Sequence, residues 1–130
     1  MKKYADLSVT CKTGVLPQDL VDAEQLLGVQ LDSQYKALFQ LVNAPEFGEW
    51  LFYPVKDKRN LRKTFDDIVR NTKSAREFGL PEAFVVIAED GTGDFLCMMS
   101  GQPQVYYKNH EQDSAEVIAN DLKAFIERVA

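Results

Sequence analysis

Phe84 to Met99 reads FVVIAEDGTGDFLCMM, and this stretch decides the fold. Phe84 to Ala88 is an unbroken apolar run rich in β-branched residues, and Asp94 to Met99 carries a second apolar run. Between them stand Glu89, Asp90, Gly91, Thr92 and Gly93. Asp-Gly favours a hairpin because a primed turn needs positive φ, which glycine adopts without a Cβ clash. The stretch therefore predicts a central β-hairpin.

Toward the C-terminus, Ser100 to Pro103 is turn chemistry, and Gln104 to Lys108 predicts a third strand of a meander. Asn109 to Ser114 is a polar loop. Leu122, Phe125, Ile126 and Val129 mark a closing helix that Asn120 would cap. Val117 and Ile118 fit either an extended segment or an earlier turn of that helix.

Toward the N-terminus, Leu61, Phe65, Ile68, Val69 and Thr72 repeat at helical spacing, which predicts a helix over about Asp57 to Phe78, closed by Gly79 and Pro81. Glu49 to Tyr53 is a short aromatic strand that Pro54 ends. Pro17 to Leu27 places Leu20, Ala23, Leu26 and Leu27 on one helical face, with Gly28 at the C-terminal cap. Asp32 caps a second helix running to about Val42, striped by Tyr35, Leu38, Phe39 and Val42. Leu7, Val9 and Cys11 alternate with polar residues, as in a short strand. Helices at both ends and strands grouped in the second half imply an α+β fold. We expect a single domain over residues 1–130, with a central antiparallel meander sheet and helices packed against it.

At 130 residues, 45% hydrophobic and 27% charged, the chain can bury a core without disulfides or a metal. It has no apolar run of membrane-spanning length, and no apolar segment of a signal peptide follows Lys2 and Lys3. The expected address is cytoplasmic, with no membrane partner. Cys11 and Cys97 lie too far apart for a metal knuckle or redox pair and read as free structural thiols.

The formal charge of −5 is uneven: Lys56 to Glu77 holds eight basic residues against four acids, and the remainder carries −9. An acidic surface disfavours nucleic acid and favours basic partners. The basic helix face lacks the interleaved aromatics of single-strand binders and reads as a solvated face, so no direct nucleic-acid partner is expected.

Glu89, Asp90 and Asp94, with the single His110, are what a metal-dependent hydrolase would use. Turn formation accounts for the three acids more simply, since EF-hand spacing is absent and no G-x-S-x-G elbow accompanies them. Gly91 and Gly93 lack the third glycine of a dinucleotide fingerprint. No catalytic residue, metal ligand or cofactor is expected, and the chain does not read as an enzyme. Phe47, Trp50, Phe52, Tyr53, Tyr106 and Tyr107 form an aromatic group of core composition. Strand alternation should leave part of it exposed, where acids around an exposed Trp or Tyr make a protein-binding hot spot.

The order of these features resembles the SUKH superfamily, which includes fungal cell-wall synthesis regulators and bacterial toxin-immunity proteins. The matching residues are Ala23 to Gly28 (AEQLLG), Leu31, Tyr35, Asn43, Pro45 to Gly48, Asp66 to Arg70, Leu80 with Pro81, the VVIAEDGTGDFLC hairpin, Val105 with Tyr106, and Ala119, Phe125 and Ile126. They cover about residue 16 to the C-terminus. The family's usual Leu-Pro is Leu31-Asp32 here, which touches only helix initiation because Asp is itself a good N-cap. The resemblance implies an immunity protein that neutralises a cognate, basic toxin, such as a nuclease domain, by stoichiometric binding. A regulatory or scaffold module of the fungal kind is the alternative. The partner-binding candidates are chosen physically as acids and aromatics at turns and strand ends: Glu46, Phe47, Glu49, Trp50, Asp57, Glu89, Asp90 and Asp94.

Overall fold

The computed structural model describes residues 14–57, 61, 64, 66–109 and 115–129. The strand expected at Leu7 to Cys11, and His110, lie outside them. Helix α1 (Pro17–Leu27) starts on Pro17, and the Asp19 carboxylate accepts the Leu16 N–H at 3.2 Å. Gly28 ends it in the left-handed region at φ 68°. Helix α2 (Ser33–Leu41) follows, with the Asp32 carboxylate accepting the Gln34 and Tyr35 N–H groups.

Six strands then form one antiparallel meander in the order β1 (Glu46–Phe47), β2 (Trp50–Phe52), β3 (Phe84–Glu89), β4 (Phe95–Met99), β5 (Val105–Lys108) and β6 (Ala115–Ala119). The α+β class with an antiparallel meander is as the sequence implies, and the β3–β4 hairpin lies at its centre. Asp90 to Asp94 close that hairpin. The Asp90 carboxylate accepts both the N–H and the hydroxyl of Thr92, and Gly91 and Gly93 take φ of 87° and 102°.

Helix α3 (Ile68–Glu77) is ten residues long, shorter than the helix expected from about Asp57. The apolar periodicity continues upstream, but Asp67 accepts the Arg70 N–H at 2.9 Å as an N-cap and fixes the start. Upstream, Asp57 is held in a loop, its N–H donating to the Thr64 hydroxyl at 3.0 Å. The closing helix α4 (Leu122–Val129) is likewise capped one residue later than expected. The Asp121 carboxylate, not Asn120, accepts the Ala124 N–H.

One core joins Leu20, Tyr35, Leu38 and Phe39 of the first two helices, Phe125 and Ile126 of α4, and the inward residues of the sheet. Asn43, expected only as a helix stop, is buried and pairs through its amide with both backbone groups of Val55, at 2.9 and 3.0 Å. A second such device lies where β2 has ended and α3 flanks β3. There the buried Thr72 hydroxyl accepts the Val86 N–H at 3.0 Å, satisfying a strand donor that no neighbouring strand reaches. Replacing this hydroxyl by a methyl group, Thr72→Val, keeps the volume but orphans the donor. We expect a loss of about 1–3 kcal/mol of stability in urea unfolding, with the fold retained. Cys97 is a free, buried thiol whose pKa burial pushes up to about 12. Among the described residues, no helix is long and apolar enough to cross a membrane.

Candidate functional site

The sheet carries acids in two places, each organised by a tyrosine. At the loop end, Tyr107 on β5 donates its hydroxyl to the Asp94 carboxylate, across the strand pair β4–β5. The hydrogen bond to Asp94, with burial and the nearby charges of Asp94, Asp90 and Glu49, pushes the Tyr107 phenol up to about 12. Glu49, from the β1–β2 turn, therefore joins two acids of the β3–β4 loop around one phenol. A protonated phenol can only donate to such a group, so Tyr107 ties down Asp94, while Thr92 holds Asp90. Glu49 is exposed, Asp90 is half-buried and Asp94 is buried against the tyrosine.

The second group lies on the outward face of the sheet. Glu46, Leu51, Glu89, Phe95, Lys108 and Ala115 are successive partners across the six strands, so their side chains share one face. Leu51, 45% exposed, stands between Glu46 and Glu89. The Tyr53 hydroxyl donates to Glu89 at 2.8 Å. Burial, this bond and the charges of Glu89 and Asp66 raise the Tyr53 pKa strongly. Asp66 itself lies 3.8 Å from Arg70, both exposed.

The remaining candidates do not reach the surface. Phe47 and Trp50 are 1% and 5% exposed. Phe47 meets Phe52 edge-on at 5.6 Å, and Trp50 meets Tyr107 edge-on at 5.9 Å and Phe125 at 6.4 Å. The alternation along β2 points Trp50 and Phe52 at the helices, which is why the exposed residue of that strand is Leu51. Asp57 is buried as well.

Sequence reasoning named these acids but not the tyrosines that bond two of them, Glu89 and Asp94. Tyr53 and Tyr107 were visible only as members of an aromatic group, and the signal for Leu51 was its odd position between Trp50 and Phe52. Among the described residues no group of three His, Cys, Asp or Glu side chains is placed to hold a metal ion. Residues 14–128 match the profile of the family described as SMI1 / KNR4 family (SUKH-1). No curated protein matches the chain.

Proposed function

Because the chain belongs to the SMI1 / KNR4 family (SUKH-1), we propose that it is a cytoplasmic immunity protein, without catalytic activity, that occludes a cognate basic toxin. The observation that carries this reading is the gathering of acids at two places on the sheet, Glu49, Asp90 and Asp94 around Tyr107 and, on the outward face, Glu46 and Glu89 flanking the exposed Leu51. Fixed carboxylates around an apolar centre suit a partner whose own cleft must be basic to attract phosphates. Complementary fields accelerate encounter, while the apolar centre supplies contact area.

The reading predicts that a toxin domain is encoded beside the gene, and the direct experiment mixes the two and measures complex formation and residual toxicity. A one-to-one complex that abolishes toxicity is expected. A chain that ignores that domain and captures housekeeping proteins through the same surface would be a regulatory module instead. Neutralising Glu46, Glu49, Glu89 and Asp90 together, each to its amide, spares the Tyr107–Asp94 bond. Association should slow about tenfold or more at low salt, with the difference shrinking as salt rises. An unchanged rate at low salt would remove these acids from the interface.

A further inference from the structure

The sheet has a second apolar face. When helices cover one face of an antiparallel sheet, the other is ordinarily polar and solvated. Here the buried apolar side chains of all four helices enter one core, together with Val85, Leu96, Met98 and Val105 of the strands. The alternate strand residues point the other way, and they include Phe84, Phe95, Met99, Tyr106 and Val117. None of these five belongs to the core or packs against it. Val117 is 50% exposed and the other four are half-buried. The Phe84 and Tyr106 rings, on β3 and β5, reach across β4 and meet edge-on at 5.1 Å. A contiguous apolar patch of this kind marks a protein contact.

The charges on this face select the partner. Glu89 on β3 and Lys108 on β5 flank Phe95 of β4 in one cross-strand row. The Tyr53 hydroxyl fixes the Glu89 carboxylate, and the Lys108 charge acts on the Cys97 thiol of the same face. A uniformly basic partner would set like charge against Lys108. A second copy does the opposite. A two-fold axis parallel to β4 stacks the two sheets face to face and lays β3 of each copy over β5 of the other, so that Glu89 meets Lys108 twice. Both residues lie one strand, about 4.8 Å, from the axis, so the crossing of about 30° between stacked sheets displaces them little. We propose that the outward face of the sheet is a homodimer interface, centred on Phe95 of both copies and closed by two reciprocal Glu89–Lys108 pairs. The inference does not rest on the toxin reading, although both surfaces include Glu89.

The test is sedimentation equilibrium of the full chain from micromolar to millimolar concentration, with circular dichroism to confirm that each variant folds. The wild type should dimerise reversibly. Lys108→Glu sets carboxylate against carboxylate in both pairs, and Glu89→Lys sets ammonium against ammonium, so each variant alone should dimerise about tenfold or more weakly. Mixed, the two variants restore both opposite-charge pairs and should form a heterodimer about as tight as the wild-type dimer. Recovery in trans cannot come from a role of either residue within its own chain. A wild type that stays monomeric overturns the proposal and leaves the face to a different protein. Folded single variants that dimerise undiminished, or a mixture that fails to recover, overturn it as well. Should Glu89→Lys not fold, Phe95→Lys replaces it: two ammonium groups on the axis must abolish the dimer, and an unchanged dimer in that variant also overturns the proposal.

Discussion

Phe39→Ala should cost about 3–5 kcal/mol of unfolding free energy, the largest effect of any single truncation we expect in this chain. Phe39 is completely buried, stacks on Tyr35 with ring centroids 4.3 Å apart, and lies 6.4 Å from Phe52. It is therefore the point where α2 meets the sheet, and its ring has apolar neighbours on both layers. Removing it takes away the transfer free energy of the side chain and leaves a void that two rigid layers cannot close. Against a total stability of about 5–15 kcal/mol for a domain, that is a large share. Urea unfolding should show a lower midpoint with a similar slope, because the surface exposed on unfolding hardly changes. A loss below about 1 kcal/mol would mean that the α2–sheet contact is not maintained in solution.

Gly14→Ala is expected to be nearly as damaging, for a different reason. A Cβ at Gly14 would lie 2.0 Å from the carbonyl oxygen of Gln40 and 2.3 Å from its carbon. Both are backbone atoms near the end of α2, so no side chain can swing aside. The next residue is tied to the same turn, the Val15 N–H donating to the Phe39 carbonyl at 2.8 Å. Accommodating one methyl group forces the entry segment away from α2 and loses that bond, for a combined cost of about 3 kcal/mol. Thermal unfolding should fall by about 10 °C. An unchanged melting temperature would show that the close approach is not a feature of the folded protein.

Neither residue announced its weight in the sequence. The role of Gly14 depends on Gln40, a contact far along the chain that no local pattern encodes. Pro17–Leu27, by contrast, was legible to the residue, because proline at one end and glycine at the other state both boundaries chemically. The start of α3 was obscured because Leu61 and Phe65 extend its apolar period by coincidence, while the true start depends on one capping carboxylate, Asp67. Strand β1 has two residues, too few for any periodicity, and β6 lies at the sheet edge, where one-sided burial blurs alternation. The acids of the candidate surface were readable because turns require Asp and Gly. Which face of β2 the helices cover was not, since alternation defines two faces without saying which is inside.

Arg128 of α4 donates to the carbonyl of Ile118 at 2.8 Å, and Ile118 is the residue at which β6 slips register against β5. An open meander ends in a strand whose unpaired backbone groups can template another chain. Here a guanidinium occupies one of those acceptors and the bulge bends the strand at the same point. At the opposite border, β1 is too short to seed pairing. Both borders of the sheet thus discourage strand-by-strand addition, so a second protein is more readily received on side-chain surfaces than by extending the sheet.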